Sequence, residues 1–204
     1  MTEKTQRDLI LSIAEERGLV TDKDVRELGI HPQTLSRLVA SGELVRAARG
    51  RYRLPDQVYE LTEYHGLVLA SAVVPNGVVC LLSALHFHVI GTQLPRQIWI
   101  SLPKKSWTPA AEHPPMRFVR MSGEALTSGI DEHVLEVRPV KIYDVAKTVV
   151  DCFKFRNKIG MDVALEALNE SWRERKLDLN LVAKYARVCR VWNVMRPYLE
   201  AITA

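Results

Sequence analysis

The chain has 204 residues, 47% of them hydrophobic and 25% charged, with a formal net charge of +4. That length holds two ordinary domains with cores of their own, and so mild a positive balance does not by itself establish a polyanionic partner. No apolar run reaches the roughly eighteen residues of a membrane span, the polar start MTEKTQRDLI lacks a signal-peptide core, and Cys80, Cys152 and Cys189 are too far apart for a disulfide framework or zinc motif, so a soluble, cytoplasmic protein with buried thiols is expected.

The first 55 residues are the most regular part of the chain. Thr5 to Arg17 reads as a helix in which Leu9, Ile10 and Ile13 share a face and Gly18 closes the end. Thr21 opens a second helix, with Asp24 in the capping-box place that Glu or Gln usually takes, and Val25, Leu28 and Ile30 are expected to face inward. A third helix is predicted from His31 to Ser41, because Pro32 suits a first helical position and Gly42 a left-handed closing residue. Leu35, Leu38 and Val39 fall on one side of it. Gln33, Thr34, Ser36, Arg37 and Ser41 fall on the other, a polar face able to enter a groove.

Two short strands follow, Glu43 to Arg46 and Arg51 to Leu54, around a turn in which Gly50 supplies a positive φ. Alternation sends Arg51 and Arg53 to one face and Tyr52 and Leu54 to the other. Between His31 and Arg53 the charged residues are Arg37, Arg46, Arg49, Arg51 and Arg53 against Glu43 alone. A guanidinium keeps its charge and donates in a fixed fork, which suits phosphates or a narrow minor groove. The order helix, helix, turn, helix, hairpin predicts a winged helix-turn-helix over residues 1–55, with the third helix reading the major groove of double-stranded DNA. Its candidate DNA contacts are Gln33, Thr34, Ser36, Arg37, Arg46, Arg49, Arg51 and Arg53. Taken singly, each has a plainer reading as a solvated helix face or a charged edge strand.

Residues 56–204 read as a second, mixed α/β domain with a small antiparallel or mixed sheet and a helical C-terminus, giving the α+β class overall. A helix through Val58, Leu61, Tyr64 and His65 runs to about Val73, Pro75 to Gly77 turns the chain, and Ser83 to Ile90 is a short helix. Strands are predicted at Gln97–Leu102, Met116–Arg120, Val134–Val137 and Val140–Tyr143. Helices follow at Val145–Phe155, Asp162–Arg175, Leu179–Arg190 and Val191–Ile202, with Pro197 expected to kink or break the last.

No phosphate-binding loop, dinucleotide fingerprint or nucleophile elbow is present. His86 and His88 would point apart on a helix, and Asp131, Glu132 and His133 are expected in a turn beside Gly129. Asp144, Asp151 and Lys154 have the residue types of a Mg2+-dependent nuclease, but such ligands normally project from strands and these share one predicted helix. The expectation is no catalytic residue, no metal and no cofactor, the alternative being a nucleic-acid-processing enzyme delivered by the winged domain. The run Phe153 to Lys158 and the set Lys104, Lys105 and Trp107 read as a helix end and a loop in preference to a second nucleic-acid patch.

Four segments in order, ELVRAARGRYRL at Glu43–Leu54, SALHFHVIG at Ser83–Gly91, LPRQIWISLP at Leu94–Pro103 and VKIYDVAKTVVDCFKF at Val140–Phe155, resemble the AbiEi family of bacterial antitoxins, the transcriptional regulators of type IV toxin-antitoxin systems associated with phage abortive infection. The resemblance implies a winged domain that represses its own promoter at inverted repeats. It also implies a C-terminal domain that counters a nucleotidyltransferase-type toxin without a stable complex. Only the eight DNA-contact candidates carry over by position, and no antitoxin residue does.

Overall fold

The computed structural model describes residues 5–55, 62–108, 114–136 and 138–203. The chain divides into two units, Met1–His65 with Val134–Arg138 and Gly66–His133 with Pro139–Ala204. The first begins with helix α1 (Gln6–Arg17), where the Thr5 side chain accepts from the Asp8 amide at 3.2 Å and Asp8 accepts from the Thr5 amide at 3.2 Å. Strand β1 (Val20–Thr21) leads to helix α2 (Asp22–Glu27), which repeats the device: Thr21 N donates to Asp24 Oδ2 at 2.8 Å. Asp thus fills the capping-box role at both helices, its short side chain still reaching back three residues.

Helix α2 ends in a Schellman turn at Gly29, φ 71°, with Ile30 N donating to Val25 O at 2.9 Å and Gly29 N to Arg26 O at 3.0 Å. This turn redirects the chain into helix α3 (Gln33–Ala40). It also leaves Leu28, expected inward, 46% exposed as the capping residue of α2. Pro32 stands at the N-cap and not at the first helical position, because the His31 ring Nδ1 takes the Gln33 amide at 3.2 Å and regular helix starts one residue later.

Strands β2 (Val45–Ala48) and β3 (Arg51–Arg53) complete a small antiparallel sheet of order β1-β3-β2. Ile10, Ala14, Val20, Val25, Ile30, Leu35, Leu38, Leu44 and Tyr52 form the core of this unit. Each fully buried aliphatic side chain contributes about 1.5–3 kcal/mol of transfer free energy. The segment Val134–Arg138 belongs to the same unit: Arg138 Nη2 donates to Leu19 O at 2.8 Å, and Glu136 receives Thr62 Oγ1 at 2.7 Å and the His65 ring at 2.8 Å.

Arg7 Nε donates to Glu43 Oε2 at 2.5 Å, tying α1 to the turn after α3. Bonding from Arg7, and from Ser41, holds the Glu43 carboxyl below its usual pKa, and the Thr5 cap lowers Asp8 likewise. A depressed carboxylate favours the folded state above the ordinary carboxylate range, and the benefit disappears as pH falls through the lowered value. The stability difference between the native chain and Glu43→Gln, measured by urea unfolding, is therefore expected to be smaller at pH 3 than at pH 7. An equal difference at both pH values overturns the assignment.

The second unit is built on α4 (His65–Val73), β4 (Val78–Val79), α5 (Leu81–Phe87), β5 (Ile98–Pro103), β6 (Met116–Met121), α6 (Glu124–Thr127), β7 (Ile130–Leu135) and β8 (Arg138–Tyr143), of which the end residues His65, Val134, Leu135 and Arg138 group with the first unit. Helices α7 (Val145–Lys154), α8 (Arg156–Ile159), α9 (Met161–Arg173), α10 (Leu179–Val188) and α11 (Trp192–Thr203) follow. The sheet has the order β6-β5-β4-β8-β7 and is mixed: β4 runs antiparallel to β5 and parallel to β8, and β5 runs parallel to β6. Its middle strand, β4, has two residues and was not among the predicted strands, since two residues carry no alternation to detect. Helix α7 is the core element: every residue from Ala146 to Phe153 is buried, with α5, α9 and α10 packed around it.

Three expectations for this unit are corrected. Asp131, Glu132 and His133 lie in strand β7 and not in a turn, at the end of the sheet order, where outward charge is compatible with an edge strand. The expected strand at Val134–Val137 is accordingly displaced to Ile130–Leu135. Helix α11 continues through Pro197 unbroken; Tyr198, Leu199 and Ile202 pack on the core and offset the lost backbone bond. Val58, Leu61 and Val137 lie outside the described residues. Among the described residues no helix is long and apolar enough to cross a membrane.

Candidate nucleic-acid interface

Helix α3 presents Gln33, Ser36 and Arg37 to solvent. Thr34, expected beside them, is only 8% exposed. It precedes Leu38 by one helical repeat and shares its inward side, which is why a polar residue here goes to the core. Its Oγ1 accepts from Arg37 Nη2 at 3.3 Å, so Thr34 positions the Arg37 guanidinium instead of offering its own hydroxyl. Ser41, at the C-cap, donates to Leu38 O at 3.1 Å and to Glu43 Oε1 at 2.9 Å.

The hairpin register distributes its arginines. Val45 faces Arg53, Arg46 faces Tyr52 and Ala48 faces Arg51, with a bulge between Arg46 and Ala48. Residues directly opposite share a face. Arg51 and Arg53 therefore take one face, as the alternation predicts, while Arg46 lies over the buried Tyr52 on the other, and Arg49 stands in the turn. Arg46 and Arg49 are exposed, whereas Arg51 and Arg53 are half-buried. Burial lowers the Arg51 pKa from its usual value, yet a guanidinium stays charged at neutral pH. Gly50, at φ 69°, also makes room: a Cβ there would come 2.9 Å from Asp22 Oδ2.

Electrostatics sharpen the surface further. Glu43, the one acidic residue between His31 and Arg53, is engaged by Arg7 and Ser41. Asp22 Oδ2 stands close to Gly50 in the hairpin turn, so the five arginines of the segment face two carboxylates among the described residues, one of them already engaged by Arg7, and the excess of cations favours a polyanion.

The residues weighed for catalysis do not assemble a site. Asp144 caps α7, accepting from Lys147 N at 2.7 Å and from the Tyr185 hydroxyl at 3.0 Å, and this buried neighbourhood raises both the Asp144 carboxyl and the Tyr185 phenol, the latter to about 12. Asp151 meets Lys147 Nζ at 2.5 Å with both side chains fully buried, and Lys154 Nζ reaches Cys189 O at 3.5 Å. His88 Nε2 bonds Tyr143 O at 2.7 Å, leaving the His86 and His88 pair without common purpose. Among the described residues no group of three His, Cys, Asp or Glu is placed to hold a metal. Phe153 is buried and Arg156 bonds Phe153 O at 2.8 Å, so that segment ends a helix against the core. Cys80, Cys152 and Cys189 are buried, and burial raises their thiols, Cys189 to about 11. Lys147 went unnoticed in the sequence; the signal was a Lys and an Asp one helical repeat apart inside an apolar run.

Residues 8–55 match the family model described as a transcriptional regulator, AbiEi antitoxin, so the resemblance read from the sequence is shown for this segment. The RV2827C protein from Mycobacterium tuberculosis, known from a crystal structure, shares the fold with a TM-score of 0.57 and 16% identity, over 88% of this chain and 70% of that one. No curated protein matches the sequence.

Proposed function

We propose, on the premise that residues 8–55 match the AbiEi antitoxin regulators, that the first unit is a winged helix-turn-helix and the protein a DNA-binding transcriptional repressor. In this reading α3 enters the major groove with Gln33, Ser36 and Arg37 toward base edges. The β2–β3 hairpin is the wing, its arginines on phosphates or in the adjacent minor groove. The observation that carries it is the exposed polar face of α3 followed by an arginine-rich hairpin, in a segment whose one acidic residue, Glu43, is bonded to Arg7. The regulated site is the protein's own promoter at inverted repeats. The second unit, by the same family reading, counters a nucleotidyltransferase-type toxin without a stable complex.

Gel-shift titration against the upstream promoter and a scrambled duplex tests the regulatory half. Preferential binding of the promoter is expected, with log affinity falling against log salt at a slope of about −0.9 per phosphate contact. Four wing contacts give a slope of about −3.6. Equal affinity for both duplexes overturns the repressor reading. Co-expression of the second unit with the neighbouring toxin gene tests the other half, and unrelieved growth arrest overturns it.

A further inference from the structure

A cavity of about 480 Å³ opens in the second unit, within the size range of small-molecule sites. Lys104, Arg120, Lys154 and Arg190 line it against one carboxylate, Glu124. Arg120 is structural: its guanidinium donates to Pro103 O at 3.0 Å, Ser106 O at 2.7 Å and Thr108 Oγ1, and so fixes the loop that carries Lys104. The other three cations are little engaged. Lys154 makes one long bond at 3.5 Å, and among the described residues no hydrogen bond or ion pair holds the side chain of Lys104 or Arg190.

Beside Ser122, the rest of the wall is formed by Met121, Ala125, Val188 and Cys189, and its backing explains their apolar character. Met121 Sδ lies 3.9 Å from Lys147 Nζ, and Cys189 Sγ lies 3.6 Å from Asp151 Oδ1. The buried charges are turned toward each other behind these two sulfurs, and the cavity meets Met121, Ala125, Val188 and Cys189 instead. Arg190 sits at φ 59°, in the closing position after α10, with Val191 N donating to Ala186 O at 2.8 Å. Glycine is the ordinary residue there, so this backbone places an arginine at the rim where the fold itself asks for none.

We propose that this cavity binds a phosphorylated small molecule of the nucleotide class, with phosphates among Lys104, Lys154 and Arg190 and the base against the apolar wall. Cations that outnumber the one carboxylate of the cavity lining, and that no ion pair among the described residues holds, suit phosphate oxygens. The apolar side chains of the wall suit a heteroaromatic ring, and Glu124 is available to accept from a ribose hydroxyl or an exocyclic amine. Such a ligand makes the second unit a sensing unit, a property independent of what the first unit binds.

Isothermal titration of the full chain with AMP, ADP and ATP, with adenosine as the phosphate-free control, is the test. Saturable one-to-one binding is expected for at least one nucleotide, with adenosine at least tenfold weaker. Arg190→Gly removes the rim cation at a φ that glycine prefers, so the variant should melt no lower than the native chain and bind at least tenfold more weakly. Lys154→Met keeps the aliphatic stem and should weaken binding similarly. No saturable binding by any nucleotide overturns the proposal, as does undiminished binding by both variants at native melting temperature. A single-stranded oligonucleotide that binds more tightly than ATP and is lost with the same variants overturns it in favour of a strand-binding groove.

Discussion

Asp151→Ala is expected to destabilise the protein by about 3–5 kcal/mol, because it strands the ammonium of Lys147 in the core of the second unit. Both side chains of this pair are fully buried at 2.5 Å, on a helix whose eight central residues are all buried. The Tyr143 ring lies 4.0 Å from Lys147 Nζ and the Met121 sulfur 3.9 Å away, and neither replaces a carboxylate. Burial alone pushes the Asp151 carboxyl up; the adjacent Lys147 pulls it back toward ionisation. Guanidinium denaturation of the single variant measures the loss. The double variant Lys147→Met with Asp151→Leu should recover it, since an apolar pair of similar volume avoids the desolvation of two ions and is often neutral or stabilising by about 1–4 kcal/mol. A single-variant loss below about 1 kcal/mol is typical of an exposed ion pair and overturns the assignment.

Arg37→Ala is expected to weaken promoter binding by about 1–3 kcal/mol, about 5- to 150-fold, if the guanidinium reads a guanine edge. Arg37 is exposed on α3, and Thr34 Oγ1 holds it at 3.3 Å. Thr34→Val, which keeps the shape and removes the acceptor, should lose a smaller part of the same affinity. The discriminating measurement is the ratio of promoter to scrambled-duplex affinity. A fall in that ratio places Arg37 on bases, whereas equal loss on both duplexes places it on phosphate.

How far the site could be read ahead of the structure depends on how local its determinants are. Thr5 with Asp8, Thr21 with Asp24, and Gly42 after α3 are signals spanning a few residues, and each appears as a cap or a helix stop. The hairpin and the alternation of Arg51 and Arg53 are local for the same reason. Thr34 goes inward because it lies one helical repeat before Leu38, so its phase on the helix and not its polar side chain sets its side. The acidic stretch Asp131 to His133 has turn composition, yet the sheet takes it as an edge strand. Pro197 shows the same override, since core packing of the residues after it maintains a helix that local chemistry would end.

Sequence alone determined the three helices and the hairpin of residues 1–55, the arginines of that hairpin and the apolar character of the α7 segment, because helix periodicity, caps and turn glycines act over less than two turns of chain. It missed the two-residue β1, which forms only by pairing with β3, and set the first hairpin strand at Glu43–Arg46 where the structure has Val45–Ala48. The tertiary structure decided the rest. It set the two-residue β4 between β5 and β8, sealed Lys147 against Asp151, and brought Lys104, Lys154 and Arg190 to one cavity from segments up to 86 positions apart by their numbering. These are meetings of residues distant along the chain, and their free energy comes from excluding water between surfaces that no single segment possesses.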